Sequence, residues 1–380
     1  MRLFIFLARM LSFLLVALGL YTSVKSAADG NIFVCYFTQT SYFPPSAVPA
    51  KTCTHLIYAF GLISGGTIKF RDQTDVNAIN TLVGLKKQNP ELKVLLSLQQ
   101  GFPTVVTDSQ ITMEKFSTNA ISVLRKVGLD GIDFDWEFPL KRDRDNYSRF
   151  LKIFRTFVNK EATGKTPLLV TMALANNVYA LRTGYDVTSI NQNVDLYTVM
   201  AYDLHVFNAK VDNVTGFNSP LYPVTGESKY TSVSGLMSYC LSLGFKPSKM
   251  LLGVPSYGRS YKLNDVSRHG IHAPAVSKGD PSPYRHLRGV YAYPDVCVGI
   301  QHGATIVSDQ TSHGKYIYKG TTWVAYDDVI TAAEKARWAV SQGLRGVGIW
   351  SVELDDVDGI CTKDKTRLSL MTAIKNALNI

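Results

Sequence analysis

Eight short runs rich in β-branched and aromatic residues recur along this chain, and segments with helical periodicity separate most of them. The runs span residues 31–37, 55–60, 93–98, 131–136, 168–174, 194–203, 249–258 and 346–350. Amphipathic helices are predicted over residues 111–127, 145–160, 233–243 and 327–343. Strands that alternate with helices form parallel sheets, because each helix returns the chain to the edge where the next strand begins. Eight such units predict an α/β fold, a closed (β/α)8 TIM barrel, rather than an open doubly wound sheet.

One interval interrupts this alternation, between the seventh and eighth predicted strands. Residues 260–325 are rich in glycine, proline, histidine and tyrosine, and no clear amphipathic helix is visible in them. Strand-like pieces such as residues 316–326 do occur. We therefore predict a small α+β insertion, at about residues 260–325, on the face of the barrel where the strands end.

Residues 1–26 have the pattern of a targeting segment. Arg2 and Arg9 precede an apolar run, and small residues follow near Ser26. This order predicts a secretory signal peptide, a mature barrel over residues 27–380 and an extracellular location. A membrane anchor is the alternative, but the apolar run is shorter than the about 20 residues that a spanning helix needs. No later segment is long and apolar enough, so we expect no membrane span in the mature chain.

Secretion permits disulfides and glycosylation. The chain has five cysteines, and an odd number leaves at least one thiol unpaired or paired outside the chain. Asn146 and Asn213 each begin an Asn-x-Ser/Thr sequence and are candidate glycosylation sites.

Charged residues are scattered, with 37 basic and 30 acidic side chains in the predicted mature chain. The run at residues 141–149 alternates in sign, which indicates a solvated helix start and not a surface for nucleic acid. No Cys-x-x-Cys or His-Glu-x-x-His spacing occurs, so we do not expect a structural or catalytic zinc site. We also expect no cofactor.

The sequence DGIDFDWEFP places a carboxylate at every second position, at Asp133, Asp135 and Glu137. Alternate side chains of a strand share one face, so the acids would follow one another at ~6.6 Å per two-residue step. In a barrel this face points inward and toward the mouth, where active sites lie. Repulsion and burial raise at least one pKa, and an acid that stays protonated near neutral pH can act as a general acid. Glu137, at the end of the strand, is best placed for that role.

Two other interpretations of these acids are open. They could bind a cation, although hard metal ions usually recruit oxygen ligands from several loops. They could also form an ordinary charged strand face, although Phe134 and Trp136 on the other side indicate that both faces are buried. We therefore favour an acid–base site without a metal.

The same run resembles the DGxDxDWExP signature of the family 18 glycoside hydrolases, the chitinases and chitinase-like proteins. Further matches follow in the family's order, namely VCYFTQTSYF, CTHLIYAF, VMAYDLH, NSPLY, GVPSYGRSY and GVGIWSVELDD. The resemblance covers nearly all of the predicted mature chain. It implies a retaining hydrolase of β-1,4-linked N-acetylglucosamine polymers or oligomers, in which the acetamido carbonyl of the substrate is the nucleophile. The ligands would be chitin or N-acetylglucosamine oligosaccharides, and we expect a monomer.

The resemblance also implies a role for each site residue. Glu137 would protonate the leaving oxygen, Asp135 would orient the acetamido group and stabilise the oxazolinium ion, and Asp133 would share a proton with Asp135. Tyr202 would hydrogen-bond the acetamido oxygen, and Asp203 would contact a neighbouring sugar. The lining of the cleft would comprise Trp350, as its apolar floor, with Tyr36, Phe60, Met200, Tyr257 and Arg259.

Two disulfides are implied by the same resemblance, Cys35–Cys53 and Cys297–Cys361. The remaining cysteine, Cys240, would be free and packed on a helix.

Three positions depart from the family's pattern. Active members usually end the third strand in Gly-Gly-Trp, whereas this chain has Gln99, Gln100 and Gly101. Thr40 replaces a second cleft tryptophan, and Phe207 is the aromatic residue nearest to the place of a third. At about 0.5–1.5 kcal/mol for each aromatic contact, the losses would cost about 2–4 kcal/mol and weaken polymer binding about tens- to hundreds-fold.

Two functions are compatible with these observations. The complete set of acids favours a catalytically competent chitinase or chito-oligosaccharide hydrolase, since the usual loss of activity replaces the last acid and Glu137 is intact. The altered third strand favours a chitinase-like binding protein with little or no hydrolysis, such as a lectin, a growth-factor-like protein or a matrix component. A different glycan target is a third interpretation.

Overall fold

Eight parallel strands close into a barrel in the computed structural model, which describes residues 30–380. The barrel strands are β1 (Ile32–Thr38), β2 (His55–Ser64), β4 (Lys93–Gln100), β5 (Gly131–Phe134), β6 (Leu169–Leu174), β7 (Leu196–Val199), β8 (Met250–Pro255) and β15 (Gly346–Trp350). They pair in this order, and β15 pairs with β1, with Val34 opposite Gly348. A short strand, β3 (Thr67–Lys69), extends β2 as an antiparallel hairpin. The predicted (β/α)8 barrel is confirmed.

Several predicted strands differ from the observed ones at their ends, and the sixth, residues 194–203, is a strand only over Leu196–Val199. The fourth run is a strand only over Gly131–Phe134, although the backbone N–H of Asp135 still donates to the carbonyl of Leu98 at 2.9 Å. The seventh run divides into β8 and β9 (Tyr257–Leu263), because the chain leaves the barrel there and enters a second sheet. The predicted signal peptide, residues 1–26, lies outside the described residues.

Nine α-helices occur within residues 30–380, and most of them lie between successive barrel strands. They are α1 (Gln73–Gly84), α2 (Gln110–Lys126), α3 (Arg144–Glu161), α4 (Val178–Thr183), α5 (Val187–Asn193), α6 (Val233–Ser242), α7 (Tyr293–Gln301), α8 (Val329–Ser341) and α9 (Ser369–Leu378). The exceptions are α7, which lies in the insertion, and α9, which follows the last barrel strand. Polar side chains fix several helix starts, because Asp72, Ser109 and Asp328 accept hydrogen bonds from first-turn N–H groups of α1, α2 and α8. No helix within residues 30–380 is long and apolar enough to cross a membrane.

The apolar residues between the three acids pack outward, as the alternation predicts. Phe134 lies against Phe150 and Phe154 of α3, with ring centroids 5.4 and 5.2 Å apart. Trp136 stacks on Phe102 at 5.2 Å. Burial of these rings favours folding by about 1.5–3 kcal/mol for each side chain, and it holds the acids on the opposite face, toward the barrel axis.

The insertion forms an antiparallel sheet of six strands. They are β9, β10 (Ala275–Lys278), β11 (Val290–Ala292), β12 (Thr305–Asp309), β13 (Gly314–Lys319) and β14 (Thr322–Tyr326). The order is β10-β9-β14-β13-β12, with β11 paired to β9. Trp323 is fully buried in its core, against Tyr261 and Tyr316. The sheet agrees with the predicted α+β insertion, but α7, which lies between β11 and β12, was not located in the sequence.

Both implied disulfides are present. Cys35–Cys53 joins β1 to the segment before β2, and Cys297–Cys361 joins α7 to the segment after β15. Cys240 is free and buried on α6. Of the two glycosylation candidates, Asn213 is exposed, whereas the side-chain amide of Asn146, in the first turn of α3, donates to Asp108 at 2.8 Å.

Candidate active site

The three acids lie at increasing height along the inside of the barrel. Asp133 is fully buried, and both of its carboxylate oxygens accept hydrogen bonds from the flanking strands. Ser97 Oγ on β4 donates to Oδ2 at 2.7 Å, and Thr171 Oγ1 on β6 donates to Oδ1 at 2.6 Å. Asp135, above it, is 4% exposed, and its Oδ1 is buried without a hydrogen-bond partner among residues 30–380. Glu137 lies highest and is exposed in the cleft.

Burial raises the pKa of all three carboxyl groups, and neighbouring charges raise the pKa of Asp135 and of Glu137 further. Burial raises the pKa of Asp133, and the hydroxyl donors of Thr171 and Ser97 partly offset this. The pKa of Asp135 lies well above its ordinary range, because of burial first and then the charges of Glu137 and Asp133. Partial desolvation by the cleft walls also raises the pKa of Glu137, against a lowering by the amide of Gln99. Carboxyl groups in this arrangement retain protons at a higher pH than isolated ones do.

Asp203, which follows β7, is held by partners from two directions. Its backbone has a φ of +56°, a left-handed conformation that Asp tolerates better than most residues. Its N–H donates to Asn218 Oδ1 at 2.9 Å. Its carboxylate accepts from the Tyr257 hydroxyl at 2.7 Å and from Arg259 Nε at 2.6 Å, and a second nitrogen of the same guanidinium completes a bidentate pair. The arrangement fixes one wall of the cleft.

Aromatic side chains form the floor. Trp350, at the end of β15, stacks on Phe60 with ring centroids 5.6 Å apart and lies 5.5 Å from the ring of Tyr36. Burial raises the pKa of Tyr36 and of Tyr202 well above the usual value, so both phenols keep their protons and remain donors. A planar apolar floor beneath hydroxyl donors is suited to a sugar ring, which has an apolar face and polar edges.

These groups enclose a cleft of about 250 Å³ at the C-terminal mouth of the barrel. Nine predicted site residues line it, namely Tyr36, Asp135, Glu137, Met200, Tyr202, Asp203, Tyr257, Arg259 and Trp350. Asp133 lies beneath Asp135, and Phe60 supports Trp350 without lining the cleft. Within residues 30–380, no group of three or more His, Cys, Asp or Glu side chains is arranged to hold a metal ion.

Several cleft residues were not identified from the sequence. Asn176, just after β6, lines the cleft and donates to the backbone carbonyl of Tyr202 at 3.1 Å. The position of Asn176 just after a barrel strand was the available signal for a cleft residue, since site residues of such barrels lie at strand ends. Val290 from the insertion and Leu354 from the segment after β15 also line the cleft. Neither has a local signal, because only the packing of distant segments brings them there.

The structure shows the surroundings of all three departures from the family's pattern, and none of these residues lines the cleft. Gln99 Nε2 donates to Glu137 Oε1 at 3.1 Å. Gly101 has a φ of +89°, and a Cβ there would lie 2.3 Å from the carbonyl oxygen of Ile63, so the turn requires glycine. Thr40 Oγ1 accepts from the N–H of Phe43 at 3.3 Å, and Phe207 packs against the core of the insertion. None of these three positions supplies an aromatic platform to the cleft.

The profile of the Glycosyl hydrolases family 18 matches residues 32–355. The chain belongs to this family. Among curated proteins, it is 34% identical to Chitotriosidase-1 of Mus musculus, over 86% of this chain and 74% of that protein. It is 30% identical to Chitinase-3-like protein 2 of Homo sapiens, over 86% of this chain and 87% of that protein.

Solved structures of family 18 proteins superimpose closely on the barrel and its insertion. An immunomodulatory active chitinase from Trichuris suis gives a TM-score of 0.87 at 28% identity, covering 92% of this chain and all of that one. Human YKL-39, described as a pseudo-chitinase with retained chitooligosaccharide binding, gives the same TM-score and identity, over 92% of this chain and 100% of that one. Family 18 relatives of this chain therefore include both an active enzyme and a pseudo-chitinase, and the family alone does not decide between hydrolysis and binding.

Proposed function

We propose that this protein is a secreted hydrolase of β-1,4-linked N-acetylglucosamine oligomers, which acts with retention through the acetamido group of its own substrate. The observation that carries the proposal is the complete acid set, with Asp133 fixed from both sides, Asp135 buried with an unpartnered oxygen, and Glu137 open to the cleft. Three acids at these positions supply a proton donor and a counter-charge without any protein nucleophile.

In the proposed first step, Glu137 donates its proton to the glycosidic oxygen as the bond to the leaving sugar breaks. Its raised pKa favours the protonated form that this step needs. The acetamido carbonyl oxygen of the substrate attacks the anomeric carbon, and the positive charge that forms on the ring is stabilised by Asp135. The buried Tyr202 hydroxyl would donate to the acetamido group and hold it for attack.

In the second step, Glu137, now ionised, removes a proton from a water molecule, which attacks the anomeric carbon and reopens the oxazolinium ring. Two inversions give net retention. Trp350 would lie under the sugar that reacts, and the Asp203–Arg259 pair would offer polar contacts to the sugar next to it. Asp133 would act through Asp135, because two adjacent carboxyl groups repel each other when both are ionised and would therefore share a proton.

A second candidate function is oligosaccharide binding with little or no hydrolysis. The observation that favours it is the end of β4, where Gln99 contacts Glu137 and Gly101 replaces the tryptophan that active members usually carry. With fewer aromatic platforms, we infer weak binding of insoluble chitin in either case. The pseudo-chitinase neighbour supports the view that this fold serves binding alone in some members.

Incubation with fluorogenic chitobiose and chitotriose substrates, from acidic to neutral pH, separates the two candidates. Glu137→Gln is the matched control, because it keeps the shape of the side chain and removes the acid. Turnover that Glu137→Gln abolishes supports the hydrolase. Wild-type turnover no higher than that of this variant would overturn it, and calorimetric binding of N-acetylglucosamine oligomers by the same inactive protein would establish the binding function.

Location and assembly form a separate part of the proposal. We infer secretion from residues 1–26, and glycosylation at the exposed Asn213 in preference to Asn146, whose amide is hydrogen-bonded. Expression of the full chain in a eukaryotic host, with N-terminal sequencing and glycosidase treatment of the medium, tests both statements. Retention of the chain inside the cells would contradict secretion. Light scattering tests the expected monomer.

A further inference from the structure

We propose that Gln99 is a positioning residue for Glu137, which holds Oε1 of the carboxyl group and thereby assigns the transferable proton to Oε2. The inference rests on the proposed hydrolase function and concerns a position where active family members usually carry glycine. It begins from the 3.1 Å contact between Gln99 Nε2 and Glu137 Oε1. Among residues 30–380, this is the side-chain hydrogen bond that the Glu137 carboxyl group makes.

The backbone beneath Gln99 is fixed. Gln99 lies in β4 between two paired strands, since Leu98 is opposite Phe134 of β5 and Gln100 is opposite Leu62 of β2. Two residues after Gln99, the turn at Gly101 lies so close to β2 that no side chain fits. Gln99 is half-buried, and its neighbour Gln100 is exposed. A donor on a strand of a closed barrel holds its partner more accurately than a donor on a loop does.

The chemistry of the contact gives the two carboxyl oxygens different roles. The amide nitrogen of Gln99 can only donate, so the oxygen that it faces must accept. In a protonated carboxyl group the accepting oxygen is the carbonyl oxygen, and the proton resides on the other one. Glu137 therefore carries its acidic proton on Oε2, which leaves that oxygen for the glycosidic oxygen of a substrate.

The contact also affects the acidity of Glu137. A donor to a carboxyl group stabilises the ionised form more than the neutral one. Gln99 accordingly lowers the pKa of Glu137, against the raising by burial and by the charge of Asp203. Removal of the donor should raise the pKa, and it should also free the carboxyl group to rotate.

Gln99→Met tests the assignment, because methionine has nearly the same length and lacks the donor. Gln100→Met is the matched control on the exposed neighbour. The chain contains seven glutamates, so labelling with glutamate enriched in carbon-13 at the carboxyl carbon gives few signals, and Glu137→Gln identifies the one of interest. We expect Gln99→Met to raise the pKa of Glu137 by about one pH unit, and Gln100→Met to leave it unchanged. A third variant, Gln99→Glu, should raise the pKa further through like-charge repulsion.

The titration does not depend on turnover, so it can fail independently of the proposed function. If Gln99→Met and Gln99→Glu both titrate as the wild type does, the positioning role is overturned, whether or not the protein hydrolyses chitotriose. If the pKa of Glu137 rises in the Gln99 variants and the protein is an enzyme, the pH at which kcat/KM falls on the alkaline side should rise by the same interval. If the pKa of Glu137 shifts as expected and no hydrolysis occurs, the role of Gln99 stands and the hydrolase proposal fails. Melting curves of each variant exclude misfolding as the cause of a shift.

Discussion

Asp133 and Asp135 share the inner face of the barrel, but they differ in how their oxygens are satisfied. Hydroxyl groups from both flanking strands hold the two oxygens of Asp133, at 2.7 and 2.6 Å. Oδ1 of Asp135 is equally buried and has no partner among residues 30–380. An unsatisfied buried carboxylate is costly in free energy, and such a cost is typical of residues kept for function. The pair combines one structural acid with one acid that is free to contact a ligand.

Asp135→Asn should reduce turnover and stabilise the fold. Removal of the charge ends the cost of its burial and the repulsion from Glu137 and Asp133, so we expect the melting temperature to rise by about 2–4 °C at about pH 7. An acid with a raised pKa costs stability above its unfolded pKa, so the gain should vanish as the pH falls toward the unfolded value of 3.8. Turnover should fall about 100- to 1,000-fold, because the charge that we propose to stabilise the oxazolinium ion is lost.

Asp203→Asn is the matched control, since it makes the same chemical change in the same cleft. The carboxylate of Asp203 is paired with Arg259 and accepts a hydrogen bond from the Tyr257 hydroxyl. Loss of this charge leaves the largely buried guanidinium of Arg259 without a counter-charge. We expect a loss of about 1–3 kcal/mol in the free energy of unfolding. Scanning calorimetry of both variants checks the opposite signs, and a melting temperature that falls in both would contradict the account of Asp135.

The pH dependence of turnover should follow the protonation of Glu137. The general acid must carry its proton, and its pKa is raised above the ordinary 4.5 by burial and by the charge of Asp203. Turnover of chitotriose should therefore be retained above pH 4.5 and fall as the pH rises through the raised pKa. A profile of kcat/KM against pH measures this limb, and a half-maximal point on the alkaline side at or below 4.5 would contradict it.

The barrel could be predicted from the sequence, because the residue pattern within each strand indicates which of its faces is buried. Phe134 and Trp136 alternate with the acids, and this local pattern is sufficient to place one face outward and the other inward. α7 was not predicted, because it is short and its sequence, YPDVCVGIQ, contains glycine and β-branched residues that are typical of other structures. Pro294 in its first turn was the available signal, since proline is common there.

The site was predicted in part for a different reason. The acids, Tyr202 and Trp350 lie in sequence motifs at strand ends, where a barrel collects its functional groups. Val290 and Leu354 reach the cleft only through the packing of the insertion and of the segment after β15. The contact of Gln99 with Glu137 joins β4 to the segment that follows β5, and it depends on side-chain geometry that a sequence motif does not contain.

Gly101→Ala should destabilise the protein more than an ordinary glycine substitution does. The left-handed φ of +89° alone costs about 1 kcal/mol for alanine, and the new Cβ would lie 2.3 Å from the carbonyl oxygen of Ile63. The strands would have to separate, which adds about 1–3 kcal/mol. Gly66→Ala is the matched control, because its φ is +72° and nothing lies within 4 Å of a Cβ there.

Urea unfolding of the two glycine variants checks this prediction. A loss for Gly101→Ala equal to that for Gly66→Ala would mean that the turn relaxes without cost. The same geometry makes Gly101→Trp a poor route to the aromatic wall of active members, since the turn itself differs and a larger side chain meets the same carbonyl group. We therefore expect Gly101→Trp to lose stability without tighter binding of chitin, as measured by pull-down on the insoluble polymer.

A cluster of two histidines and two acids joins the segment after β7 to the insertion. His205 contacts Asp212 through Nδ1 at 3.1 Å and Glu227 through Nε2 at 3.0 Å. His272 Nε2 lies 2.7 Å from the other oxygen of Glu227, whose side chain is 7% exposed. The two histidines lower the pKa of Glu227 to about 2 despite its burial, and the two acids raise the pKa of His205. Glu227 is therefore the centre of this cluster.

Glu227→Gln should destabilise the protein over a defined range of pH. The carboxylate, with its lowered pKa, contributes stability above 4.5 that is lost as the pH falls toward 2. His205, with its raised pKa, contributes below 6.5 and loses its contribution as the pH rises through the raised value. The deficit of Glu227→Gln in the free energy of unfolding should thus be largest between pH 4.5 and 6.5, at about 1–3 kcal/mol.

The control is Glu334→Gln. Glu334 also lies 3.1 Å from a histidine, His313, but its side chain is more exposed than that of Glu227, so its loss should cost about 0–1 kcal/mol. Equal deficits for the two variants, or a deficit for Glu227→Gln that does not change with pH, would show that the cluster is not an ionic link.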